Sequence, residues 1–161
     1  MINDNFVKVS FELDRDGWHG AAWEGIWAIP EPSLGMAAYT IMNSPFFSRE
    51  VSLMDIVEAN FNKDIMSLEF ARTIESSGNS TYMLLIEIQG EKFDRLWSAL
   101  ETLGCTYEST KEFASGEGRI LYSVNIPAAS DIYAAYQIFE EGQRSYVWEF
   151  QEGKVGHKLR I

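Results

Sequence analysis

The stretch from Thr81 to Phe150 restricts the possible folds more than any other part of the chain. It reads TYMLLIEIQ, GEKFDRLWSALETLG, CTYESTKEF, GRILYSVNIP, SDIYAAYQIFEEG and SYVWEF, which by periodicity is strand, helix, strand, strand, helix, strand. Phe93, Leu96, Trp97, Leu100 and Leu103 recur at three- and four-residue intervals, one stripe of a helix, while Lys92, Asp94, Arg95 and Glu101 fall elsewhere on its surface. Gly104 follows, where a left-handed cap needs no Cβ. The second helix is expected to start after Ser130 as N-cap, with Asp131 adding charge at the positive end of the dipole. Its apolar stripe is Ile132, Ala135, Tyr136 and Phe139, and Gly142 is the expected stop. Both helices need a sheet face to cover. An order βαββαβ closes into one sheet with both helices on the same side, the ferredoxin-like split βαβ arrangement.

The first half reads differently. From Phe6 to Leu13, Val7, Val9, Phe11 and Leu13 alternate with Lys8, Ser10 and Glu12, the pattern of a half-buried strand. Asp14-Arg15-Asp16-Gly17 has the chemistry of a turn. Trp18 to Ile29 carries Trp18, Trp23 and Trp27, and Pro30 and Pro32 break the ladder after it. Met36 to Met42 reads as a strand, Asn43-Ser44-Pro45 as a bend, and Ser52 to Asp55 as a turn into a strand from Ile56. Lys63-Asp64 turns a hairpin into Ile65 to Ile74, where Met66, Leu68 and Phe70 alternate with Ser67, Glu69 and Ala71. Ser76 to Ser80 is the one linker-like cluster. The expectation is therefore an α+β chain in two domains: residues 1–78, a small antiparallel β-barrel or curled sheet, and residues 79–161, the ferredoxin-like unit. The tail from Glu152 either adds a strand or packs back on the first half.

WEGIWAIP at Trp23–Pro30, NSPFF at Asn43–Phe47, SLMDIVEA at Ser52–Ala59 and SSGNSTYMLLI at Ser76–Ile86 resemble, as an ordered set, a bacterial family catalogued as domain of unknown function 4265. The resemblance covers most of the chain, and the opening around Trp18–Trp23 departs from the pattern. It implies a bacterial, cytoplasmic protein and assigns no catalytic residue.

Charge narrows the partners. The net charge is −11: residues 1–80 hold five basic against twelve acidic side chains, the remainder eight against twelve. Phosphate binding needs Lys and Arg, so nucleic acid and anionic membranes are poor partners, whereas a basic protein would be steered in. No apolar run approaches the roughly 20 residues of a membrane helix. The N-terminus MINDNFVKVSFEL lacks a basic segment followed by an apolar one, and the lone Cys105 excludes an internal disulfide. A cytoplasmic location is expected.

Candidate chemistry is sparse. His19 and His157, both in glycine-containing and so exposed stretches, together with one cysteine do not make a zinc set. Cys105 follows a helix C-terminus, where the dipole raises a thiol pKa, and reads as a buried structural thiol. Glu140-Glu141, Glu50 with Asp55, and Asp14 with Asp16 are acid pairs that work as catalysts only if burial splits their pKa values. Gly116-Glu117-Gly118 lacks the third glycine of a phosphate loop and reads as a hairpin turn. An RNA-binding open face would have to come from Tyr82, Tyr107 and Tyr122, without the accompanying cations. No cofactor or metal is expected.

Two clusters remain. Asn43, Pro45, Phe46, Phe47 and Asp55 either fix a bend, fill a barrel end and cap a turn, or form a small groove with an aromatic floor and an acidic edge. Trp18, Trp23 and Trp27, spaced five and then four, do not share one strand face, so at least one is exposed. Trp18 and Trp23, with Asp14, Asp16, His19 and Glu24, form the expected partner-binding patch. The reading that follows is a non-enzymatic acidic binding protein, most specifically an immunity-type protein that neutralises a basic toxin or nuclease domain by occlusion. The alternative is a small-molecule-sensing regulatory module.

Overall fold

The computed structural model describes residues 5–87, 89–111 and 118–160. Two antiparallel sheets, of five and four strands, and two helices make an α+β architecture. The first sheet contains β1 (Val7–Glu12), β2 (Trp23–Pro30), β3 (Ala38–Ile41), β4 (Ile56–Asn62) and β5 (Ser67–Glu75), with a short 3-10 turn at Pro32–Leu34. Each strand pairs antiparallel with the next. The sheet curls until β1 meets β5 in a brief parallel contact, Val9 opposite Leu68 and Ser10 opposite Glu69. Val9, Phe11, Ile26, Ala28, Ile41, Val57 and Ala59 point into the curl, as the two-residue period requires.

The second sheet has the order β7 (Thr106–Thr110), β8 (Ile120–Ile126), β6 (Ser80–Ile86), β9 (Trp148–Glu152), all antiparallel. Helices α1 (Glu91–Thr102) and α2 (Ile132–Arg144) cover one face of it. Phe93, Leu96 and Leu100 of α1 and Ile132, Ala135 and Phe139 of α2 bury against Tyr82, Leu84, Tyr122 and Val124. No helix among the described residues is long and apolar enough to cross a membrane.

Several local expectations need correction. The N-cap of α2 is Asp131, whose Oδ1 accepts from the amides of Tyr133 and Ala134; the Ser130 hydroxyl instead donates to the Leu103 carbonyl. Gly142 is not the stop, for α2 runs on to Arg144. Its glycine is a packing requirement: a Cβ there would fall inside the Trp148 indole, which is buried and donates its Nε1–H to the Phe139 carbonyl at 2.9 Å. The helix ends in a Schellman motif, Val147 N–H to Gly142 C=O and Tyr146 N–H to Gln143 C=O, with Tyr146 at φ +60° where glycine is usual. Met66 lies in the hairpin turn at φ +51° and is exposed, so its face is not that of Leu68 and Phe70. Pro30 does not break the ladder; it ends β2, paired with Tyr39. Tyr82, Tyr107 and Tyr122 do not line an open face. Tyr82 and Tyr122 lie beneath the helices, and Tyr107 stacks on Tyr122 at 4.2 Å with Trp97 of α1 edge-on at 4.8 Å. Of the turn expected at Gly116-Glu117-Gly118, Gly116 and Glu117 lie outside the described residues.

The uncovered face of the second sheet meets the loops of the first through a polar seam. Asp55 is fully buried; its Oδ2 accepts from Lys154 Nζ at 2.6 Å and Ser52 N–H at 2.9 Å, and its Oδ1 from Ser77 N–H at 2.8 Å. The Ser52 hydroxyl meets Thr81 Oγ1 at 2.7 Å, and Ser123 Oγ lies 2.9 Å from Ser44 Oγ. The tail therefore packs across both sheets rather than adding a strand: Lys154 reaches Asp55, and its carbonyl accepts from Thr81 N–H.

Helix propensity alone favours Ala over Gly by about 1 kcal/mol, yet Gly142→Ala is expected to destabilise by about 2–3 kcal/mol because overpacking against Trp148 dominates. Conversely, Tyr146→Gly, at an exposed residue in a strained conformation, is expected to add about 1 kcal/mol. Urea midpoints measure both. A higher midpoint for Gly142→Ala would show that Trp148 is not seated as described.

Candidate functional site

The β1–β2 loop and the β3–β4 loop lie side by side, and their sequences explain how. Asp14 Oδ1 accepts from Asp16 N–H, Gly17 N–H reaches the Asp14 carbonyl, and Gly20 N–H the Gly17 carbonyl, so residues 14–20 wind into consecutive turns. Gly17 is required by close approach, since a Cβ there would sit 2.7 Å from His19 Nε2. The winding turns Trp18 outward, 38% exposed, and His19 inward. His19 Nδ1 accepts from Ala21 N–H at 3.0 Å. Its ring lies 5.0 Å from Phe47, and Trp18 meets Phe47 edge-on at 5.7 Å.

Beneath this aromatic group is Glu24. It sits on the inward face of β2, and its carboxylate accepts from three successive amides of the facing loop: Phe46 at 2.7 Å, Phe47 at 3.1 Å and Ser48 at 2.8 Å. Burial raises its pKa from the ordinary 4.5; the three amides and His19 pull the other way without cancelling that cost. Asp55 is likewise not a groove edge, being sealed under Lys154. Asn43 Oδ1 accepts Trp27 N–H at 2.7 Å and fixes the loop to β2. Ser44 N–H donates to Glu108, whose pKa burial raises, and Cys105 is buried with its thiol pushed up to about 11.

The expected patch thus divides. Asp14, Asp16 and Trp18 are at the surface, whereas His19 and Glu24 face inward. Trp23 and Trp27 share the outer face of β2, Trp23 half-buried and Trp27 exposed with Lys8 Nζ 4.9 Å over its ring. His157 is not a free solvated ring either: its Nδ1 meets Ser80 Oγ at 2.6 Å and its Nε2 the Pro127 carbonyl at 3.0 Å.

What the structure brings together is a pair of depressions flanking Trp18. One, about 230 Å³, is walled by Trp18, His19, Phe47, Arg49, Glu50 and Gln151, with Glu12 and Asp14 at its rim. The other, about 180 Å³, has Met83, Leu85 and Leu121 as its floor and shares Trp18 and Gln151. Glu12, Asp14, Glu50 and Glu149 are exposed around them; among the residues lining the depressions the one guanidinium is Arg49, whose Nε donates to the Glu152 carbonyl at 3.1 Å. Glu12, Arg49, Glu149 and Gln151 were missed in the sequence, and Glu50 was read only as an acid beside Asp55, because only the seam draws three distant segments together.

Glu24→Ala strands three amides and is expected to cost about 3 kcal/mol, whereas Glu24→Gln keeps one acceptor and costs about 1 kcal/mol. A carboxyl whose folded pKa is raised contributes stability that is fully present below the unfolded value and is lost as pH rises through the folded one. The stability of the native chain relative to Glu24→Gln is therefore expected to fall as pH rises above 4.5. Denaturant titrations across acidic to neutral pH check this, and a difference that grows with pH contradicts it.

No curated protein matches the chain. A hypothetical protein from Neisseria gonorrhoeae superposes with a TM-score of 0.74 at 19% identity, over 96% of each chain, and so shares the fold. A family model, domain of unknown function (DUF4265), matches residues 24–150, a span that includes Glu24, the amides it holds and the polar seam apart from Lys154, and the chain belongs to that family.

Proposed function

We propose that this chain is a non-enzymatic acidic binding protein of the immunity type, acting in the bacterial cytoplasm by covering the active face of a basic toxin domain. The observation that carries the reading is Trp18 projecting between two depressions rimmed by Glu12, Asp14, Glu50 and Glu149. Aromatic anchors in desolvated pockets supply much of the energy of protein interfaces, and carboxylates around them accelerate capture of a cationic partner. The titratable groups nearest the anchor are engaged in holding loops: Glu24 on three amides, His19 Nδ1 on Ala21.

Depressions of about 230 and 180 Å³ lie below the 300–1,000 Å³ typical of sites for drug-sized ligands and fit single side chains. At Trp18 that favours a protein side chain over a metabolite. We also read the strand order β7-β8-β6-β9, with both helices on one face, as the ferredoxin-like split βαβ arrangement, which supplies a stiff platform for the seam.

Co-purification from the native host is expected to recover a basic partner whose affinity weakens with salt. Trp18→Ala should weaken it by about 2 kcal/mol, and Asp14→Lys with Glu149→Lys should slow association and flatten the salt dependence. Surface plasmon resonance at low and high salt reads both effects. Recovery of no basic partner, or unaltered affinity in all three substitutions, would sink the reading.

A further inference from the structure

Three depressions in this molecule have one wall in common, strand β9. Beyond the two flanking Trp18, an open trough of about 660 Å³ runs along its other side, lined by Glu87, Gln143, Tyr146, Trp148, Glu149 and Phe150. β9 is the last strand of its sheet, and among the described residues no strand pairs with its outer side. The residues after it turn away: Lys154 goes to Asp55, His157 to Ser80 and Pro127, and Arg160 to Tyr133.

The direction of the free backbone groups follows from the register. Glu87 N–H donates to the Val147 carbonyl, and Gly153 N–H donates to the Thr81 carbonyl, both across to the neighbouring strand line. By the alternation of an antiparallel ladder, Glu149 and Gln151 then bond inward to β6, and Trp148, Phe150 and Glu152 point their N–H and C=O groups outward. Two side chains occupy this row. Gln143 Oε1 accepts from Phe150 N–H at 3.2 Å, and Arg49 Nε donates to the Glu152 carbonyl at 3.1 Å. Each stands where a carbonyl or an amide of a further strand would stand, and each belongs to an exposed residue that can swing away.

We propose that the outer edge of β9 accepts an extended basic segment of the partner as a further strand, with alternate side chains entering the Tyr146 trough and the Trp18 depressions. The inference rests on the basic-partner reading above and names the manner of its recognition. Main-chain pairing gives such a site its affinity, and pockets on the two faces give it selectivity. Charge decides the occupant. Glu149 lines both the trough and the smaller Trp18 depression, and Glu12 and Asp14 stand at the far end of the row. A second copy of this chain, itself at −11, is repelled there, whereas lysine- or arginine-bearing strands are drawn in. Tyr146, 79% exposed at φ +60°, presents its ring at the head of the trough in a conformation that glycine would adopt without strain.

The test uses the full chain and a short synthetic peptide alternating lysine with valine, together with two versions N-methylated on either the lysine or the valine amides. Methylation removes the N–H and keeps the charge. The expected result is that the parent peptide binds and shifts the Phe150 amide resonance, that one methylated version binds about tenfold weaker, and that Gln143→Ala tightens the parent several-fold by vacating the Phe150 amide. If all three peptides bind alike and Phe150 does not respond, strand addition is overturned while the acidic surface remains. If no peptide binds to a chain that still captures a basic partner through Trp18, strand addition is again overturned alone. If neither peptide nor partner binds, both readings fall.

Discussion

The pair of buried Asp55 and half-buried Lys154 is the constraint on which the arrangement of this molecule depends. Taking two charges out of water costs several kcal/mol per ion, repaid only when geometry and further hydrogen bonds are good. Here the carboxylate is completely buried and also accepts from the Ser52 and Ser77 amides and the Ser77 hydroxyl. These donors come from the turn before β4, the segment between the sheets and the tail after β9. One carboxylate thus fixes three pieces of chain that apolar packing would hold less specifically. The hydroxyl contacts of Ser52 with Thr81 and of Ser44 with Ser123 extend the same logic, because a hydroxyl pair tolerates far less sliding than two methyl groups.

That fixed seam is what creates the candidate site. With Lys154 anchored, β9 ends beside the β3–β4 loop, and Arg49 of that loop reaches the Glu152 carbonyl. The loop is itself rigid because Glu24 collects its Phe46, Phe47 and Ser48 amides from below. Phe47 then offers a floor on which Trp18 and His19 settle. The protein therefore spends its buried acids on holding loops still and its exposed acids on the rim. A rigid anchor loses less freedom on association than a mobile one, and this is where preorganisation gains affinity.

Much of this was legible in the sequence, and the remainder was hidden for definable reasons. The stripe Phe93, Leu96, Leu100 and the alternation Val9, Phe11, Leu13 reported their elements directly, because a buried face imposes its period on the residues that form it. Ser76–Ser80 likewise marked the passage between the sheets. Gly142 misled because a mid-helix glycine and a terminal one look alike until Trp148 is seen resting on the former. Ser130 and Asp131 are both good caps, and only the nearby Leu103 carbonyl decides between them. Glu24 and His19 read as surface groups because polarity normally means exposure, and the three amides that make burial tolerable come from residues 46–48. Spacing put at least one of Trp18, Trp23 and Trp27 outside; Trp18 and Trp27 are exposed, Trp18 because it belongs to the turn and not to β2.

In the strand-addition proposal, the acids along β9 serve two ends that are usually opposed. An exposed sheet edge invites pairing with any other edge, and proteins commonly suppress this with proline, a bulge or inward-pointing charge. β9 has no proline and a regular register, with Glu149 on one face and Glu152 on the other. Between two copies such charges repel by about 1 kcal/mol per pair at 4 Å in water, and by about 4 kcal/mol where the surroundings resemble a protein surface. The repulsion becomes attraction of similar size once the incoming strand is basic. Carboxylates therefore discriminate by sign, closing the edge to the chain's own kind and leaving it open to a cationic partner. Proline would have closed it to both.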